Sequence, residues 1–158
     1  MSHVHELSRQ LKEFHFGNNF SGPFMQDLLQ NVDYKIATTE LYNLNSIAKL
    51  VFHINYYIEG ICEVLKGGEL SIRDKFSFDM HAVNSEEDWQ ALKNNSYSSA
   101  KQLADLIEQL PESKLSSEFV KSEYGTYFRN LTGLIAHSHY HLGQIAIIKK
   151  IIVAKQEI

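Results

Sequence analysis

Apolar residues recur along this chain mainly at helical spacing, and alternation of period two is nearly absent. The clearest segment runs from about Ser46 to Lys66. There Ile47, Val51, Ile54, Ile58, Ile61 and Leu65 follow one another at spacings of 4-3-4-3-4, the seam that lines helix bundles. Asn45 is the expected N-cap, and Gly67-Gly68 the stop. A second segment spans about Thr126 to Val153. Its inward stripe is Leu131, Leu134, Ile135, Ser138, Leu142, Ile145, Ile148 and Ile152.

A third helix is predicted from Ser85 to about Leu110, opened by Ser-Glu-Glu-Asp as a capping box and closed before Pro111. The N-terminal helix covers about Val4 to Phe16. It breaks at Gly17-Asn18-Asn19 and restarts near Ser21, with Pro23 in the first turn. The pattern fades over 70–84 and 112–125, which read as loops, with a short extended piece at 118–124. Four long helices and almost no strand signal predict an all-α, four-helix bundle. The connection of some fifteen residues before the last helix implies at least one long crossover. No linker rich in Pro, Gly or Ser interrupts the chain, so residues 1–158 read as a single domain.

Composition narrows the class further. Fifteen basic against nineteen acidic residues give a net charge of −4, which excludes the basic footprint of a nucleic-acid binder. No apolar run exceeds four residues, far from the roughly 20 that a membrane-spanning helix needs. The first twenty residues carry His3, Glu6, Arg9 and Lys12 where a signal peptide would be apolar. One cysteine, Cys62, fits a reducing, cytoplasmic setting. Eight histidines are the unusual feature.

Three of them, His137, His139 and His141, crowd into the last helix. His137 and His141 lie one turn apart on one face, whereas His139 falls roughly 200° away from His141. An i, i+4 pair on a rigid helix can aim two imidazoles at one cation. In so histidine-rich a chain such a pair alone points first to a hydrogen-bonded core edge. His53 changes that balance, because it borders the apolar arc of the second long helix, away from Lys49, Glu59 and Glu63. Two helices can then bring one plus two histidines together in a bundle interior. Three neutral histidines leave a coordination position open, as in catalytic rather than structural zinc sites.

The segment His137-Ser-His-Tyr-His141-Leu-Gly-Gln-Ile145 resembles the last-helix motif of the DinB/YfiT-like superfamily. The stretch from Asn45-Ser-Ile47 to His53-Ile54 is similar to that family's second-helix motif. The resemblance covers most of the chain. It implies a four-helix bundle holding a divalent transition metal on His53, His137 and His141, with a tendency to form homodimers. Members of known activity include thiol transferases that use low-molecular-weight thiols and a mycothiol-dependent isomerase.

Around the triad, Gln144 is placed either to orient a ligand histidine or a water or to pack between helices. Tyr57, one turn beyond His53, reads first as a core tyrosine and second as a hydroxyl aimed at a metal-bound water. Gly143 reads as a point of close helix approach. Cys62 falls on the far side of its helix from His53 and is excluded as a ligand. His3, His5, His15 and His81 match no ligand spacing and are assigned to surface or loop. Neither a G-x-S-x-G elbow nor H-E-x-x-H is present, which excludes the common serine hydrolase and zincin patterns.

The expected function is that of a metal-dependent enzyme, a thiol-transferase-like transferase or a hydrolase, activating water or a low-molecular-weight thiol toward a small substrate. Zinc or nickel is the metal expected first, with iron, manganese or copper as alternatives, since imidazole ligands by themselves suit zinc, nickel, iron and copper alike. The alternative is a non-catalytic bundle in which the metal ties helices together or the groove binds a ligand.

Overall fold

Ser2 starts the first helix. Its hydroxyl accepts the amide of His5, satisfying one of the donors that a helix N-terminus leaves free. The computed structural model describes residues 2–156, and within them the regular structure is helical, with no strand. Six α-helices follow in order: α1 (His3–Phe16), α2 (Met25–Leu28), α3 (Tyr34–Thr38), α4 (Ile47–Leu65), α5 (Glu86–Glu108) and α6 (Tyr127–Gln156).

The long helices stand close to where the apolar periodicity puts them. The cap of α4 differs by one residue: Ser46, not Asn45, is the N-cap, because its hydroxyl sits where it can accept the Lys49 amide. At the other end Gly67 takes φ +89°, letting the chain fold back so that the Gly68 amide reaches the Glu63 carbonyl. Ser85 caps α5 by accepting the Asp88 amide, while the Asp88 carboxylate accepts from Asn84. The restart expected near Ser21 begins only at Met25, with Pro23 still outside the helix. Helix α3, capped by Asp33 through the Ile36 amide, lies where no helix was predicted. The extended piece expected at 118–124 reduces to one antiparallel bridge, Glu118 to Thr126, and Ser122–Tyr124 is a 3-10 turn.

Helix α5 packs against α4 on one side and α1 on the other, and α6 packs against α4 and α1. All eight residues of the predicted α6 stripe are buried, as is the α4 seam from Ile47 to Ile61. Each fully buried Leu or Ile contributes about 1.5–3 kcal/mol, so these two faces fix the rotation of α4 and α6 about their own axes. That rotation decides where the histidines point. Trp89 is wholly enclosed, and its indole N–H donates to the Val32 carbonyl at 2.7 Å, tying the α2–α3 segment to α5.

Two glycines exchange roles relative to expectation. Gly143 is exposed, and a Cβ there would meet no atom within 4 Å, so no helix approaches it. The close approach is at Gly60, where a Cβ would lie 2.6 Å from Ile72 Cδ1. Ile72 belongs to the connection between α4 and α5, and Gly60 lets that connection lie flat on α4. The connection is also pinned by Tyr56, whose hydroxyl donates to the Arg73 carbonyl and accepts the Arg73 amide.

Candidate metal centre

His53 lies between residues that hold α4 in register, with Ile54 and Ile58 fully buried beside it. Its Nδ1 is 3.1 Å from the Ser77 carbonyl oxygen, which can only accept, so Nδ1 carries the proton and Nε2 offers its lone pair. The ring stacks on Phe78 at a centroid distance of 4.0 Å and an interplanar angle of 7°. Ser77 and Phe78 follow a 3-10 turn at Asp74–Phe76, and together they form a wall over the histidine.

On α6 the buried positions Leu134, Leu142 and Ile145 turn His137 and His141 toward α4. The His141 Nδ1–H donates to Gln144 Oε1 at 2.7 Å, and the Gln144 amide nitrogen donates to the Tyr140 hydroxyl at 3.2 Å. His141 therefore also presents Nε2. The Nε2 of His137 stands 3.1 Å from that of His53 and 3.0 Å from that of His141. His53, His137 and His141 form a group whose ligand atoms all fall within 4.8 Å of one another, and they could hold a metal ion.

Hydrogen bonding alone does not satisfy this cluster. With Nδ1 of His53 and of His141 protonated, two lone pairs face His137 Nε2, which can supply one proton to one of them. A cation placed among the three nitrogens answers all of them. Around a tetrahedral ion at about 2.0–2.1 Å, ligand nitrogens sit about 3.3 Å apart. The observed separations need to open by only a few tenths of an ångström. Burial, reinforced by the neighbouring His141 and His53, pushes His137 down to about 4, while Asp74 acts weakly in the opposite direction. Burial likewise lowers His53, against the Ser77 bond and Asp74. Both rings are thus neutral near neutral pH, the form that coordinates.

Tyr57 packs edge-on against His53 and His137, at ring centroid distances of 5.1 Å in both cases. Its hydroxyl donates to Asp74 Oδ1 at 2.9 Å. His139 is turned to the other flank, with one ring nitrogen at the Ile135 carbonyl and the other 3.1 Å from Asn19 Oδ1. It joins α6 to the turn after α1, where Gly17 and Asn18 take φ +130° and +64°. The Cys62 thiol donates to the Ser99 carbonyl and is pushed up to about 11 by burial, which makes it unreactive. His3 and His5 lie outside, beside Glu112 and Glu108, and His81 is exposed.

His15 is a correction. It is fully buried, not superficial, with Nδ1 donating to the Leu11 carbonyl and Nε2 without a partner. It shares the row Val4, Ser8, Leu11, His15, all buried, and that 4-3-4 spacing was the available signal. Ser77, Phe78 and Asp74 also escaped the sequence reading. They lie in a connection without periodicity, and Ser77 acts through its backbone.

Beside His137, between Tyr57 and Leu134, a cleft of about 380 Å³ opens to solvent. No helix among the described residues is long and apolar enough to cross a membrane. Compared with protein-family models, curated proteins and solved structures, the chain has no match.

Proposed function

We propose that this chain is a four-helix bundle of the DinB/YfiT-like kind and a metal-dependent enzyme acting on a small molecule. Its metal site is His53, His137 and His141. The observation that carries the proposal is the convergence of three imidazole Nε2 atoms, two of them fixed as lone-pair donors by Ser77 and Gln144. The bundle reading is supported by the way α1, α4, α5 and α6 pack, with α5 and α6 each lying against both α1 and α4. Chain order then requires the connection from α5 to α6 to cross the bundle.

A bound divalent ion, such as zinc or nickel, would bring the pKa of a coordinated water or thiol toward neutrality. The protein supplies the surroundings. His137 is half-buried and forms part of the cleft wall, so a substrate can reach the triad from one side, while Phe78 shields His53 from the other. Asp74, held by the Tyr57 hydroxyl, is the carboxylate available at the margin of the site to take a proton from an incoming water or thiol. Access from solvent favours catalysis over a purely structural metal, whose ligands would close the site. The homodimer implied by the family resemblance belongs to the same proposal, and Tyr140 and Ile147 offer exposed apolar surface on α6 for a second copy.

The test is metal content of untagged protein after loading and desalting, followed by thiol-transfer and hydrolysis assays. About one equivalent of zinc or nickel per chain, with activity lost in His137→Ala, is the expected result. Absence of bound metal overturns the metal reading; metal without any turnover selects the non-catalytic alternative.

A further inference from the structure

The floor of the cleft beside His137 is laid by α6, where Asn130 and Leu134 flank the row Arg129, Gly133, His137. Arg129, Gly133 and His137 follow one another at four-residue spacing, so they share one face, with about 12 Å of helix between the arginine and the histidine. Tyr57 and Ile61, one turn apart on α4, form the facing wall. A volume of about 380 Å³ is that of a site for a small organic molecule.

Two features of this row are otherwise unexplained. Gly133 stands in a helix interior, where glycine is unfavourable relative to alanine, yet a Cβ there would meet nothing within 4 Å. Close packing does not require it. What it does is leave the cleft open between the triad and Arg129. The second feature is the arginine. A Cβ on Gly125 would lie 2.9 Å from Arg129 Cδ, so the arginine stem lies across that glycine, which is itself at φ +75°. Among the described residues Arg9 is held between Glu6 and Glu13, while no carboxylate pairs with Arg129.

We propose that the cleft selects a small substrate bearing a carboxylate. The acid pairs with the Arg129 guanidinium, an apolar segment lies over Gly133 against Tyr57 and Ile61, and the reacting end is presented at the triad. This rests on the metal reading of the triad. The planar fork of arginine matches a carboxylate in two parallel hydrogen bonds. The apolar wall between the two ends favours a hydrocarbon segment over a polar one.

Cobalt-loaded protein titrated with mercaptohexanoate and with mercaptohexanol tests this, read from the thiolate-to-cobalt absorption band. The acid should bind roughly tenfold more tightly than the alcohol, given one charge-assisted pair at an exposed position. Arg129→Gln should bring that ratio to about one, and Gly133→Leu should weaken both ligands by filling the cleft. An acid-to-alcohol ratio near one in the wild type, or a ratio that survives Arg129→Gln, overturns the proposal. Mercaptoethanol separates the two readings: if it produces the band while the longer acid shows no preference, the metal site stands and the anchor falls. Should no cobalt bind, the anchor is still decided by hexanoate against hexanol on metal-free protein. The Gly133 amide resonance then shifts with the acid in a manner abolished by Arg129→Gln, or it does not and the proposal is wrong.

Discussion

His53 and His137 are eighty-four residues apart in the chain, and their Nε2 atoms stand 3.1 Å from each other. Their meeting depends on the rotation of two helices, each set by its own buried stripe. His141 is one turn further along α6 and belongs to the same cluster, whereas His139, between them, bonds to the turn after α1. The variants His141→Ala and His139→Ala should therefore differ sharply. Loss of one of three ligands should lower metal affinity by more than the 10–100-fold typical of an outer-shell change. His139→Ala should keep its metal and lose stability instead. Metal stoichiometry of both purified proteins, loaded and desalted identically, measures this; equal loss in both would show that the helix phase is wrong.

Gln144 touches no other histidine of the triad and acts on the site by accepting from His141 Nδ1. Gln144→Ala should weaken metal binding about 10–100-fold, and Gln144→Glu should retain or strengthen it, since a carboxylate is the better acceptor. Competition with a chromophoric chelator gives both affinities. Unchanged binding in Gln144→Ala would detach this residue from the site.

Burial holds His15 down to about 4, below the ordinary 6.5, against a weaker opposing effect of its bond to Leu11. Above pH 6.5 the ring is neutral in folded and unfolded chains alike. As pH falls from 6.5 to about 4 the unfolded chain takes up the proton first, so stability is lost across that window, about 3 kcal/mol from this residue. His15→Gln removes the titrating group. In urea denaturation, the stability difference between wild type and variant should shrink by about that amount between pH 7 and pH 4. A pH-independent difference would contradict the enclosure of His15.

Gly60→Ala and Gly143→Ala are the same substitution in helices, with opposite expected signs. At Gly60 the new methyl would collide with Ile72, costing about 1–3 kcal/mol, and Ile72→Ala should relieve most of it. At Gly143 nothing is near, and helix propensity should add up to about 1 kcal/mol. Thermal denaturation of the two single variants and the Gly60→Ala/Ile72→Ala pair decides both.

Much of this arrangement is legible in the sequence, for an identifiable reason. The apolar rows of residues 47–65 and 131–152 repeat often enough to fix helix phase, and phase is what puts His53, His137 and His141 on inward-facing arcs while excluding His139 and Cys62. The same phase carries through the row Val4, Ser8, Leu11 and puts His15 inside rather than at the surface. Where phase does not exist, the sequence reading has nothing to work on. The connection at 66–85 has no period, and it meets His53 through the Phe78 ring and through a backbone carbonyl that any residue at 77 would possess. The glycines show a different limit. Sequence marks a glycine as exceptional but does not say whether space is needed for a neighbour, as at Gly60, or left empty, as at Gly133.

The wall over His53 is made by a segment whose hold on α4 is a handful of contacts: Ile72 laid on Gly60, two hydrogen bonds at Tyr56, one at Tyr57, the Ser77 carbonyl and the Phe78 ring. Such a segment opens at far lower free energy than a packed helix does. Beside the cleft at His137, which is already open, that opening would give an ion at the triad a second way out while the helices that carry the ligands stay folded. Exchange of the metal and unfolding of the protein become separate clocks, and a cut in this connection would speed the first without starting the second.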